Sequence, residues 1–395
     1  MTISEKVRSR SIVLVGIILT TLNLRAAVTS LSDIFGVVAK DVSGFSIPIL
    51  GMLPLLSFAI FGLLAPQLSH RLGYEMALFI SMMCIGVGLT ARLFMNNFWG
   101  FAISTVVALA GMAFGNVLLP PLFKKYFPDH INGVTSLYSV LIAVSAGFPS
   151  IISSNTVGKY GWRFSLGIWA IVGFAAALPW LMQIIANNDF TRPTTEKVQT
   201  NSVPAYKSSI TWMVALLFGV GGMLPMYTMI NWLPTYLVSV GYTTAAAGTM
   251  LFLYNTLGIF HSFLVPLVLS KMKHPYSLVI LAVVLQIGTY FGFWLIPQWS
   301  FAWSIIAAPS LLTIPASFQL FNMHSKIPNG TASISSMAQF IGYLFAAVGP
   351  LVFCWLKNAT GNYSLSFIFV IVLSILTLFF GFGAMRPGFV EDAKK

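Results

Sequence analysis

Arg25 stands in the first apolar segment of the chain, inside TLNLRAAVTSLSD (21–33) and after IVLVGIIL (12–19). A guanidinium placed in hydrocarbon costs at least about 2.5 kcal/mol, so it needs an acceptor, a cavity or a partner. On a helix, Thr21, Arg25, Thr29 and Ser32 follow at spacings of four, four and three and line one stripe. At ~1.5 Å per residue from residue 11, Arg25 lies about 21 Å along the segment, past the middle of a ~30 Å hydrocarbon core. Its planar fork of donors carries a fixed charge and suits an anion, a nitro group or a carbonyl. The alternative is a structural arginine satisfied by helix-end carbonyls or by Asp33.

Further polar residues recur at helical spacing in the second half of the chain. Tyr227 and Asn231 are four apart, flanked by Pro225, Trp232 and Pro234; such prolines free backbone carbonyls and permit bending. Tyr254 and His261 are seven apart with Asn255 beside the first, and Ser336, Gln339 and Tyr343 form another stripe. Each of these can equally make an inter-helix hydrogen bond, worth about 0.6 kcal/mol on average in membranes. Some of them are expected to face the same cavity as Arg25. Arg92, close to Asn96 and Asn97 at the end of its segment, is expected to snorkel to the outer interface or to brace helices rather than to meet solute.

Of the nine acidic residues, only Asp33 falls within an apolar segment. A buried carboxylate relay is therefore missing, which leaves either facilitated movement down the solute's own gradient or proton coupling through His261. Fixed positive charge with little negative charge favours anionic or electron-rich neutral solutes over cations. The sequence contains no GxxxxGK[ST], HExxH or GxSxG pattern and no His/Cys metal spacing, so neither an enzyme nor a cofactor or metal is expected. Cys84 and Cys354 sit singly in apolar surroundings and read as small buried side chains.

The elements that must hold these residues follow from composition. The chain has 395 residues, 57% of them hydrophobic and 8% charged, against about 25% charged in soluble domains. The bilayer is the solvent that this composition fits. A spanning helix needs roughly 20 apolar residues, and twelve segments meet that requirement: 11–38, 46–69, 76–95, 98–122, 131–156, 163–186, 211–238, 244–270, 276–296, 299–322, 331–356 and 364–385. The N-terminal stretch reads as a retained first helix rather than a cleaved leader. Basic residues divide 15 to 4 between the two sets of loops, with Arg25 and Arg92 in neither. By the positive-inside rule both termini are cytoplasmic. The net charge of +12 is spread singly or in pairs, which speaks against a nucleic-acid surface.

A polar stretch rich in Pro, Ser, Thr and Asn, 187–210, divides the segments six and six. The expected domains are 1–186, this cytoplasmic linker, and 211–395. Asn132-Gly133 and Asn329-Gly330 are 197 residues apart, as are Gly51 and Gly248. This offset marks two parallel six-helix repeats.

Twelve helices, a 6+6 repeat and a central loop resemble the major facilitator superfamily. LAPQLSHRLGYE (64–75) resembles a degenerate form of its helix 2–3 loop signature, with Gly73 and Arg71 at the glycine and basic positions and the signature's Asp replaced. Within the superfamily, LNLRAAVTSL (22–31), the arginine of GLTARLF (88–94) and INWLPTYLVSVGYTTAAAGTML (230–251) are similar to the cyanate/2-nitroimidazole porter family. The resemblance implies an all-α, inner-membrane transporter of a small solute, working by alternating access of its halves about a central site as a monomer. An efflux antiporter on the same fold is one rival, and SAGFPSIIS (145–153), without a GxxxGP pattern, counts against it. A receptor or scaffold is the other, and the short loops leave it little surface for partners.

Overall fold

The computed structural model describes residues 3–32, 34–44, 47–186 and 205–392. Among the described residues the secondary structure is helical, with a single isolated bridge between Ser43 and Asn97. Eleven helical stretches are long and apolar enough to cross a membrane. The remaining expected span, 244–270, is formed by two shorter helices, described below. The interruption keeps it below the length of a continuous span. Chain contacts divide the protein into two compact units.

The first unit comprises Met1–Val134, Leu141–Ser202 and Ile327–Ala332. It holds α1 (Ile3–Asn23), α2 (Ala26–Ser32), α3 (Phe35–Asp41), α4 (Ile47–Leu72), α5 (Tyr74–Leu93), α6 (Phe98–Tyr126) and most of α7 (Ile131–Ala186). The expected continuous helix 11–38 is thus interrupted twice. Helices α5 and α6 pack backbone against backbone, because Gly88 and Gly111 lack a Cβ. A Cβ on Gly111 would meet the Ser81 carbonyl, and one on Gly88 the Ala108 amide. Helix α7 contains two of the expected spans, separated at Gly161, whose φ of 78° suits glycine alone.

Polar clusters close both ends of this unit. Buried Glu75 accepts from Lys125 Nζ at 2.6 Å and from Tyr126 Oη at 2.5 Å, while Tyr74 Oη donates to Asn329 Oδ1 at 3.0 Å. At the other end Trp162 Nε1 donates to Asp41 at 2.6 Å, and Arg163 donates to the Leu93 carbonyl and to Asn96. Glu75 is the buried partner of its pair, whereas Arg163 and Asp41 are both about half exposed, so the second pair adds little to stability.

The second unit comprises Thr135–Val140, Val203–Lys326 and Ser333–Lys395. Its helices are α8 (Ser209–Phe218), α9 (Leu224–Ser239), α10 (Thr244–Thr256), α11 (Gly258–Leu269), α12 (Tyr276–Leu295), α13 (Ser300–Ala307), α14 (Thr313–Met323), α15 (Pro328–Thr360) and α16 (Ser364–Ala384). A π-turn, Gly219–Met223, joins α8 to α9, and a 3-10 stretch, Ala308–Leu312, joins α13 to α14. The widened turn turns the Gly221 carbonyl out of the helix ladder. It is met by Gln286 Nε2 at 2.9 Å and Thr313 Oγ1 at 2.8 Å. Such insertions mark functional bends in apolar helices. Asn132 and Asn329 are each the second residue of a helix, α7 and α15, which agrees with the repeat offset. Most of the expected linker, 187–204, lies outside the described residues.

Candidate functional site

The backbone around Arg25 follows from a helix break. Helix α1 stops at Asn23 and α2 begins at Ala26, leaving Leu24 and Arg25 in a turn. The Val28 amide bonds the Arg25 carbonyl at 3.1 Å, three residues back, and the Thr29 amide bonds it at 3.0 Å. The Leu24 carbonyl is left facing away from that ladder, and Arg25 Nη1 donates to it at 3.2 Å. The guanidinium of half-buried Arg25 also stands over the ring of buried Phe58, on α4, at 5.3 Å. A cation over an aromatic face gains about 0.5–2 kcal/mol, more as water is removed. Asp33, the expected alternative partner, lies outside the described residues.

The break revises the expected stripe. Thr21 is fully buried, and its hydroxyl donates to the Ile17 carbonyl at 2.6 Å. Thr29 stays half-buried, and its hydroxyl donates to the Arg25 carbonyl at 3.1 Å. Thr29 therefore shapes the turn that presents Arg25. The side chain of Ser32 lies outside the described residues.

Arg92 does not snorkel: it is 0% exposed, in the last turn of α5. Its Nη1 donates to the Ala27 carbonyl at 3.2 Å, and its guanidinium lies 5.6 Å from the Phe101 ring centroid. Among the described residues Nε and Nη2 find no hydrogen-bond partner. Sequence reasoning could place Arg92 near a helix end but could not see that it reaches the broken stretch of the first helix. That contact depends on the close packing of α5, α6 and α2.

In the second unit the expected residues fall into separate settings. Asn231 is exposed and its Nδ2 donates to the backbone carbonyl of Tyr227, four residues back on α9, at 2.7 Å. Trp232 donates its indole N–H to the Pro350 carbonyl on α15 at 2.9 Å and stacks on Phe353. It ties two helices together. Tyr254, 1% exposed, sits in the apolar cluster that Trp232 also packs against, and its hydroxyl has no partner. Gln339 and Tyr343 are both buried on α15. Gln339 bonds Ser335 Oγ at 2.9 Å, and Tyr343 meets Phe218 edge to face. His261, on α11, is buried with Nδ1 unpartnered. Asn255 belongs to α10, but its side chain lies outside the described residues. The structure thus brings Trp232 and Tyr254 to one cluster, and does not add Gln339 and Tyr343 to it.

The arrangement offers a fixed cation on a broken apolar helix and, separately, aromatic and amide side chains on bent helices. Broken helices are tolerated at membrane depth where they line a cavity or pack against protein, and they supply ligand groups there. Among the described residues no group of three or more His, Cys, Asp or Glu is placed to hold a metal.

The sequence profile of the Major Facilitator Superfamily matches residues 11–350. The chain is 28% identical to the 2-nitroimidazole transporter of Escherichia coli K12 over 96% of each protein. It is 25% identical to the cyanate transport protein CynX of the same organism, over 92% of this chain and 96% of that one. The structure of the proton:xylose symporter XylE superposes with a TM-score of 0.71 over 99% of both chains at 14% identity, a likeness of fold. Helical spans, two units and a profile match over most of its length show that the chain is a multi-pass membrane transporter and belongs to the Major Facilitator Superfamily.

Proposed function

We propose that this transporter moves a small anionic or electron-rich polar organic solute, cyanate-like or nitroimidazole-like, and that Arg25 is its principal ligand. The observation that carries the proposal is Arg25 itself: a permanent cation in the turn between α1 and α2, with its guanidinium over Phe58. The names of two full-length relatives, a 2-nitroimidazole transporter and a cyanate transport protein, support the same solute chemistry. Both solutes are small and rich in acceptor atoms, which a guanidinium fork can meet in its plane.

Tyr227 and Asn231 are the second unit's proposed polar contacts, together with Asn255. Trp232, Tyr254, Gln339 and Tyr343 are further proposed solute contacts, Thr29 holds the turn that carries Arg25, and His261 is the group through which a proton can be coupled. The protein acts as a monomer in the bacterial inner membrane with both termini cytoplasmic, a topology supported by the 15-to-4 division of basic residues. A thermal-shift screen of the purified protein against small anions and nitro-aromatics tests the proposal. Ligand at a hundred times its Kd stabilises the folded form by about 2.7 kcal/mol. A raised melting temperature with cyanate or 2-nitroimidazole is expected. Stabilisation by organic cations, with none by these acceptor-rich compounds, would overturn it.

A further inference from the structure

We infer that Arg92 is a positioning residue for Arg25, holding the broken stretch of the first helix so that Arg25 is presented in one orientation. The inference rests on the reading of Arg25 as solute ligand. Two guanidinium groups meet the backbone of one four-residue stretch. Arg25 takes the Leu24 carbonyl from within the stretch, and Arg92 takes the Ala27 carbonyl from α5. A break leaves the last carbonyls of the helix before it and the first amides of the helix after it without ladder partners, so the first turn of α2 has little of its own to fix its direction. Arg92 donates a bond from outside to the carbonyl of Ala27, the second residue of α2, immediately past the turn that carries Arg25. A short helix of seven residues has little stability of its own, so its direction depends on what its backbone is tied to.

The way Arg92 is buried argues against a role in stability alone. It is fully enclosed, yet Nε and Nη2, which together form the side-on edge of the guanidinium, find no hydrogen-bond partner among the described residues. Among the described residues no carboxylate pairs with it, the ion pairs there being Glu75–Lys125, Asp41–Arg163 and Lys326–Asp392. A buried charge with unmet donors is costly, and a well-packed apolar side chain of similar length is commonly neutral or stabilising in its place. A chain that needed only filled volume between α5 and α6 would be better served by methionine. What methionine cannot supply is the donor to Ala27.

This separates positioning from packing by experiment. Arg92→Met is compared with the parent as purified full-length protein, alone and combined with Arg25→Ala. Three readouts are taken: melting temperature, amide exchange of a peptide covering 21–32, and Kd for sodium cyanate and 2-nitroimidazole. Arg92→Met is expected to melt at or above the parent's temperature while the 21–32 amides exchange faster. Affinity for the probe that the parent binds should weaken roughly ten- to a hundredfold, the worth of a charge-assisted hydrogen bond that a misdirected Arg25 no longer makes. In the Arg25→Ala background, Arg92→Met should cause no further loss. Arg92→Lys, which keeps a donor, should restore slow exchange in part. Unchanged exchange at 21–32 would overturn the inference whatever the ligand result, as would a lowered melting temperature with unchanged affinity. Equal affinity losses in both backgrounds would also overturn it, because Arg92 would then not act through Arg25. If Arg25→Ala alone leaves affinity unchanged, the ligand reading of Arg25 fails, and exchange still decides whether Arg92 holds the break.

Discussion

At the scale of the residue, the account depends on Arg25 acting as a fork and not only as a charge. Lysine keeps the charge but loses the planar pair of donors. Arg25→Lys is expected to weaken solute binding and Arg25→Ala nearly to abolish it. A charge-assisted hydrogen bond is worth about 1.5–3 kcal/mol, or roughly ten- to a hundredfold in affinity. Both proteins should still insert and fold, because the turn around residue 25 is also held by Thr29 and by Arg92. Affinity and melting temperature measured on the same preparation check this; normal affinity with a lowered melting temperature would make Arg25 a brace. That an arginine stands within an apolar span was legible in the sequence, since an apolar run makes any charge conspicuous. The Phe58 ring beneath it was not, because nothing in the spacing along one helix reports which aromatic residue of another comes to lie under it. Nor was the burial of Arg92. Proximity to Asn96 and Asn97 suggested an interface, whereas the close approach of α5 to α6 encloses the side chain.

At the scale of the element, hydropathy located the spans, and the breaks within them needed the tertiary structure. The break between α1 and α2 falls in a stretch without proline or glycine, so no local signal marks it. The π-turn at Gly219–Met223 has glycine-rich composition, but its stability comes from Gln286 and Thr313, which meet the Gly221 carbonyl from α12 and α14. A similar tertiary clasp holds the C-terminal segment in the second unit. His324 faces two carbonyls, Gly388 from Nδ1 at 2.9 Å and Ala384 from Nε2 at 2.7 Å. Carbonyls only accept, and a neutral imidazole has one N–H, so the neutral ring donates to one of the two at a time. Lys326 pairs with Asp392 at 2.7 Å beside it, Glu391 accepts from Ser325 and the Lys326 amide, and Arg386 lies over Phe382. His324 thus ties the C-terminal segment to the end of α14 and α16 beside the Lys326–Asp392 pair. His324→Ala is expected to speed amide exchange over 386–392 relative to the parent, measured at one fixed pH. Unchanged exchange would show that the contacts of Glu391 and Asp392 hold the segment without it.

At the scale of the whole molecule, twelve apolar segments and the repeat offset sufficed to indicate the fold, and the superfamily profile agrees over residues 11–350. What hydropathy cannot reach is solute identity, because that depends on a few polar side chains set by helix breaks. The proposed orientation has its own check. Single cysteines placed at Ser202 and Asn358, in a background lacking Cys84 and Cys354, should differ in intact cells. An impermeant thiol reagent should reach position 358 alone, and labelling at 202 would reverse the topology. The central claim, transport of a small acceptor-rich solute on Arg25, is tested most directly by flux through the purified protein in proteoliposomes. Uptake of labelled cyanate, and separately of labelled 2-nitroimidazole, is measured for the parent and for Arg25→Ala inserted to the same level. The account predicts saturable uptake of at least one of the two by the parent and its near-complete loss in Arg25→Ala. Uptake of neither, or uptake that survives the substitution with unchanged affinity, would contradict it.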